Sequence, residues 1–241
     1  MSDPAKKTEV LTAYDRWART YDSDPNKTRE MAAAALRHGG LKITGSDVIE
    51  IGCGTGRNTQ WLAEKAAGIV ALDFSAGMLQ QAKARMHSPH VNFVQQDIRS
   101  AWPISEASAD VVVIMLVLEH IESLDPIFKE AARALRIGGE LFLCELHPAR
   151  QLSGRQAEFT DTDTGEHVRV PAYLHDISEF INAGLKAGFE LVHLGELRDP
   201  NAHPSELPRV LTVRMCLREG QRQTPVSRLK PGANEIGSDK N

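Results

Sequence analysis

The run Val48-Ile49-Glu50-Ile51-Gly52-Cys53-Gly54-Thr55-Gly56-Arg57 leaves this chain little choice of architecture. A short apolar stretch with a β-branched bias reads as a strand, and three glycines in GxGxG spacing follow at once. Glycines so placed let the backbone turn sharply and bring bare N–H groups against a ligand. From Arg57 to Ala67 the chain reads as a helix. Strand, glycine turn and helix in that order are where nucleotide-like ligands sit in open α/β sheets.

Strand and helix signals alternate through the middle of the chain. Strands are expected at Val48–Ile51, Gly68–Asp73, Val91–Gln95, Asp110–Met115 and Gly139–Glu145, with helices between them. Ser75 is placed to cap a helix with Met78, Leu79, Ala82 and Met86 on one face. Asp125 and Pro126 start another, as capping carboxylate and first-position proline. That helix turns Ile127, Phe128, Ala131 and Leu135 inward and is expected to stop at Gly138-Gly139. Asp176 and Glu179 have capping-box spacing ahead of Phe180, Ile181 and Leu185. Repeated strand–helix units imply an α/β fold, a doubly wound and mostly parallel sheet with right-handed crossovers.

Two regions depart from that alternation. Residues 1–45 read as helices only, around Glu9–Tyr21 and Pro25–His38, and are expected to cap the sheet domain at 46–217. Within that domain, residues 147–175 form a polar loop holding His147, Arg150, Arg155, His167, Tyr173 and His175. A loop of that length either serves a site or is disordered. Residues 218–241 are polar, with Pro225 and Pro231, and are expected to form a mobile tail.

Composition narrows the partners. With 41% hydrophobic and 25% charged residues among 241, the chain has an ordinary globular balance. A net charge of −4 speaks against a dedicated nucleic-acid binder, which needs a basic surface to neutralise phosphates. The longest apolar run, Val111 to Leu118, is far short of the roughly 20 residues of a bilayer span, so no membrane partner is expected. The N-terminal charges have no apolar core behind them, which makes the cytoplasm the expected location. Cys53, Cys144 and Cys216 are odd in number and widely spaced, so neither a disulfide framework nor a metal site is expected. The pattern fits a monomer or a homodimer equally.

The dinucleotide fingerprint, GxGxxG, would put its third glycine where this chain has Arg57. Here the spacing is GxGxG, with Glu50 two residues ahead. The second strand ends in Asp73-Phe74, about 20 residues past the turn, where a ribose diol is held. The third strand is followed by Asp97-Ile98, and the fourth runs out through Met115 into Leu118-Glu119-His120-Ile121. This ordered set resembles the class I S-adenosylmethionine-dependent methyltransferases, within them the small-molecule group with the Leu-Glu-His-Ile signature. The resemblance covers roughly residues 10–217. It implies a Rossmann-like sheet of seven strands with the last antiparallel, a place that Arg209–Leu217 paired with Phe189–Leu194 fills.

Further implications of the resemblance concern single residues. Gly52, Cys53 and Gly54 would offer backbone to the methionine portion of S-adenosyl-L-methionine, with Glu50 bracing the turn. Asp73 would accept from both ribose hydroxyls, Phe74 and Met78 would flank the adenine, and Asp97 with the Ile98 backbone would read its amino edge. Met115 would lie under the methionine portion. The segment Tyr14–Asp22 resembles the family's lid helix, with Tyr21 near the donor and Tyr14 and Trp17 toward the acceptor. Arg29 is either a bidentate partner for the cofactor carboxylate or a solvated helix arginine. Cys53 reads as a small residue that fits the turn rather than a reactive thiol.

His147 leaves the fifth strand at its C-terminal end, where such sheets place their sites. It either takes a proton from the acceptor as a general base or lines the pocket. Tyr173 and His175 are candidates for shaping the acceptor site. The expected activity is methyl transfer to an oxygen or nitrogen of a small molecule, by in-line displacement and without a metal. Alignment alone could supply roughly 7–11 kcal/mol of barrier reduction for that displacement. A catalytically silent S-adenosylmethionine-binding regulator is the alternative, since the motifs describe only the cofactor half. A nucleic-acid or protein methyltransferase is disfavoured: the Asn/Asp-Pro-Pro-Tyr/Phe motif and a Pro-Cys nucleophile are both missing.

Overall fold

A computed structural model describes residues 4–203 and 205–219. The chain opens with α1 (Pro4–Trp17) and α2 (Lys27–His38). The alternating part runs β1 (Asp47–Ile51), α3 (Arg57–Ala63), β2 (Gly68–Asp73), α4 (Ala76–Arg85), β3 (Val91–Gln95) and β4 (Ala109–Met115). A 3-10 turn at Leu118–His120 leads to α5 (Asp125–Ala134) and β5 (Leu135–Leu146). Then come α6 (Pro148–Leu152), a small hairpin of β6 (Glu158–Thr160) and β7 (His167–Arg169), α7 (Ile177–Lys186), β8 (Phe189–Leu197) and β9 (Val210–Leu217).

Seven strands form one sheet in the order β3-β2-β1-β4-β5-β9-β8. Pairings are parallel from β3 across to β5, and β9 runs antiparallel to both neighbours. This is the Rossmann-like arrangement with its last strand reversed. The reversed strand lies between β5 and β8, so the ladder continues beyond it. Period-2 alternation sends successive side chains to opposite faces. Ile49, Ile51, Val112, Ile114, Leu141 and Leu143 join the core with α5 and α7, while Val48, Val111, Val113 and Cys144 join the one with α2, α3 and α4.

Three expectations change. First, α5 stops at Ala134, and Leu135 pairs with Ala109 before a register shift, so β5 begins four residues earlier than Gly139. The backbones pack closely along this pairing: a Cβ on Gly139 would lie 3.0 Å from the Asp110 carbonyl. Second, Leu124 holds the cap position of α5 and Asp125 is its first residue, ion-paired to Lys186 rather than capping. Third, residues 147–175 carry structure of their own in α6 and the β6–β7 hairpin. The N-terminal segment also divides: Ala32 and Leu36 of α2 join the sheet core, whereas α1 packs Val10, Ala13 and Trp17 against Phe159 and Val170 of the insertion. The expected tail lies outside the described residues from position 220 onward.

Candidate active site

The C-terminal ends of β1, β2 and β4 open into a cavity whose space, with the part open to solvent, is about 720 Å³. At Gly52 the backbone has φ +68°, and a Cβ there would come within 2.0 Å of the Val117 side chain, so no larger residue fits. A Cβ on Gly54 would meet nothing within 4 Å, which leaves that face of the turn open to a ligand. The expected row of bare amides is not what the turn presents. Gly52 and Cys53 donate to the Leu72 carbonyl at 2.8 and 3.1 Å, and Gly54 donates to Asp73 Oδ2 at 2.8 Å. The turn spends these donors on tying itself to the end of β2.

Asp73 is buried at the rim of that turn, and Ser75 N donates to its Oδ1 at 2.9 Å. Burial pushes its carboxyl up to about 6, against the backbone hydrogen bonds that favour the charged form. Glu50 lies behind the turn, not in the cavity wall, and accepts the Thr59 hydroxyl at 2.5 Å. That bond locks β1 to α3, and burial raises the Glu50 carboxyl to about 8. Phe74, Met78, Ile98 and Met115 supply apolar walls. At the far end Asp97 takes two bonds from Arg99, at 2.8 and 2.9 Å, and an ion pair from Lys7 at 2.7 Å. Burial opposes its charge, but these cations outweigh it and hold Asp97 at about 2.

Helix α1 crosses this opening. Tyr14 and Tyr21 line the cavity, and His120 faces them from the turn after β4. The Pro171 carbonyl lies 2.8 Å from His120 Nδ1 and can only accept, so that nitrogen carries the proton. His120 Nε2 is then free to accept the Tyr14 hydroxyl at 2.8 Å. Burial, with nearby Tyr21 and Glu119, drives the Tyr14 phenol well above its usual pKa, so it stays protonated.

A second cavity, about 950 Å³ with its solvent-open part, adjoins the first and shares Tyr14, Tyr21 and Leu116 with it. Trp17 and Arg29 line it, as do Glu119, Arg150, Arg155 and Arg209. Arg29 donates to the carbonyls of Tyr21 and Asp24 and lies over the Tyr21 ring at 4.0 Å, with a buried Nε that has no hydrogen-bond partner. Along with Cys53 it also borders a smaller space beside Gly52 and Gly54. Burial raises the Cys53 thiol well above its usual pKa, which leaves it unreactive.

Chain comparisons agree with this geometry. Residues 49–143 match the family model described as "Methyltransferase domain". An uncharacterized methyltransferase, AN0656 of Emericella nidulans, is 34% identical over 77% of each chain. The chain belongs to the class I S-adenosylmethionine-dependent methyltransferases. A malonyl-[acyl-carrier protein] O-methyltransferase of Gallionella capsiferriformans is 31% identical over 76% of this chain and 65% of that one. The solved DhpI–SAH complex shares the fold, with a TM-score of 0.70 and 22% identity over 90% of this chain and 100% of that one. S-adenosylmethionine is the cofactor of this methyltransferase. Among the described residues, no group of three or more His, Cys, Asp or Glu could hold a metal. Nor is any described helix long and apolar enough to cross a membrane.

Three sequence candidates sit outside both of these cavities of the methyltransferase. His147 is buried as the N-cap of α6, where its Nδ1 accepts from Ala149 N at 3.1 Å. Its Nε2 is left to donate to Glu196 Oε1 at 2.8 Å, so both nitrogens are occupied. Tyr173 lies under the Lys6 ammonium at 3.3 Å and donates its amide to the Glu119 carbonyl. His175 is buried, and its Nε2 donates to the Ile121 carbonyl at 2.7 Å. Both fasten the insertion to the β4 exit rather than lining a cavity.

Two residues at that exit escaped sequence reasoning. Leu116 has φ +56°, a costly conformation for a side chain of its size, and it borders both cavities. It is held there because Glu145 takes the amides of Val117 and Leu118 at 3.1 and 3.2 Å. Burial raises the Glu145 carboxyl to about 8, against those bonds. A strand-end glutamate and a leucine among apolar neighbours give no local signal of this.

Proposed function

We propose that this methyltransferase transfers the methyl group to an oxygen or nitrogen of a small molecule. The carrying observation is the polar second cavity, which abuts the donor cavity at Tyr14, Tyr21 and Leu116. Asp73 holds the ribose diol with the lone pairs its backbone bonds leave over. Gly52 and Gly54 give the cofactor close approach, Phe74 and Met78 flank the adenine, and Asp97 and Ile98 meet its edge. Tyr21 and Met115 border the methionine portion, whose carboxylate faces the Arg29 guanidinium. The bound cofactor supplies an electrophilic methyl on a positively charged sulfur.

An acceptor that must lose a proton passes it to the Tyr14 oxygen as Tyr14 gives its own to His120 Nε2. The Pro171 carbonyl stabilises the imidazolium that results. This assigns proton transfer to His120 through Tyr14, while His147 serves as a helix cap. The O-methyltransferase name of one relative supports an oxygen acceptor.

Calorimetry with S-adenosylhomocysteine, followed by a screen of small acceptors for homocysteine release, tests the reading. Nanomolar to micromolar cofactor binding and release with at least one small acceptor are expected. Cofactor binding with release only on protein or nucleic-acid substrates would overturn it.

A further inference from the structure

We infer that the acceptor is an organic anion, a carboxylate or phosphonate, whose charged group is received by the arginines of the second cavity. This rests on the reading of that cavity as the acceptor chamber and names the chemistry it selects.

Four guanidinium groups line the chamber: Arg29 from α2, Arg150 from α6, Arg155 from the insertion and Arg209 from the approach to β9. They come from separate stretches of chain, so their convergence belongs to the fold and not to a local charge run. One lining carboxylate, Glu119, faces them. Asp199 answers one more charge, gripping Arg209 at 2.7 and 2.6 Å and pairing with Arg150 at 4.0 Å. With Arg29 turned to the cofactor carboxylate, one positive charge remains uncompensated. An anionic acceptor would bring the chamber to balance, whereas a neutral or cationic one would not.

The arginines are also unequally committed. Asp199 fixes the fork of Arg209, and the carbonyls of Pro208 and Leu207 hold Arg150 at 3.3 and 3.0 Å. Arg29 is pinned by carbonyls but keeps a buried Nε without a hydrogen-bond partner. Arg155 makes no side-chain hydrogen bond or ion pair among the described residues. Braced guanidinium groups beside a free one form a preorganised receptor with one finger left to close on the ligand. The planar, five-donor fork suits the paired oxygens of a carboxylate or phosphonate, which is why arginine serves this purpose better than lysine.

The test uses the full chain, with and without saturating S-adenosylhomocysteine. It is titrated calorimetrically with malonate and with methylphosphonate, then with malonamide and dimethyl methylphosphonate as neutral counterparts. At least one anion should bind, at least about tenfold more tightly than its neutral counterpart, because charge-assisted bonds to guanidinium are lost with the charge. Whichever anion binds identifies the headgroup. Arg155→Gln should weaken that binding about tenfold and leave S-adenosylhomocysteine affinity unchanged. Because Arg155 is exposed and its side chain is unpaired among the described residues, the variant is expected to fold normally, which its melting profile checks. Binding of neither anion, equal binding of the neutral counterparts, or indifference to Arg155→Gln would each overturn the inference. Failure of S-adenosylhomocysteine to bind would instead overturn the donor reading, since the anion titration without it reads the acceptor chamber alone.

Discussion

The two chambers proposed for donor and acceptor are built by opposite strategies. The donor chamber draws its floor from consecutive strand ends, and nearly every polar group in it is already bonded to the protein. Asp73 takes Gly54 and Ser75, while Asp97 takes Arg99 and Lys7. The acceptor chamber draws on α1, α2, the insertion and the start of β9, and it keeps charge in reserve. A chamber for an unchanging cofactor can be finished in advance, whereas one that chooses a substrate needs unsatisfied groups to do the choosing.

Four variants or conditions would break or sharpen that contrast. Tyr14 stands on the shared wall, so Tyr14→Phe should lower turnover about 100-fold or more and hardly change cofactor affinity. A parallel loss of S-adenosylhomocysteine binding would show Tyr14 serving the donor side alone. Asp73→Ala should weaken S-adenosylhomocysteine about 10- to 100-fold by calorimetry, because a charged acceptor is lost from a buried site. An unchanged affinity would remove the distinction between the chambers at its root. His147→Ala should leave turnover nearly intact but cost about 1 kcal/mol in urea unfolding, the usual worth of a helix cap. A collapse of turnover in a folded variant would return proton transfer to His147.

The smallest effect expected is a slope. Burial holds the carboxyls of Glu50 and Glu145 at about 8 and Asp73 at about 6. Each binds its proton more tightly folded than unfolded. Their contribution to stability is therefore full below the ordinary carboxylate range and is lost as pH rises through 6 to 8. The melting temperature of the ligand-free protein should fall from pH 6 to pH 8.5. Glu50→Gln should flatten part of that fall, and an unchanged slope would mean that Glu50 is ionised throughout.

What could be read from sequence follows the same division. The lining of the first cavity was legible because its parts lie in fixed order along the chain: Gly52 and Gly54 after β1, Asp73 and Phe74 after β2, Asp97 after β3. Backbone geometry there dictates residue type, as the Val117 contact does for Gly52. The acceptor chamber was not, since Arg150, Arg155 and Arg209 meet only after the sheet has reversed through β9. The position of His147 outside both cavities has a related cause. Its position at a strand end was read correctly, but only packing shows that the helix after it and Glu196 claim both ring nitrogens. Likewise α5 ends early where Leu135 pairs with Ala109, a tertiary influence on a helical pattern.

Helix α1 does more than close a site. Trp17 stacks on Phe159 at 4.7 Å, and Arg16 grips Asp161 and Glu166 at 2.7 and 2.9 Å, so the lid is bolted to the hairpin that continues the acceptor chamber's wall. Lys7, near the other end of the same helix, reaches Asp97 at the far side of the donor chamber. One rigid lever thus spans both compartments. Val10 and Tyr14 of that helix wall the first compartment and Tyr14 and Trp17 the second, so a change in its seating reshapes both at once.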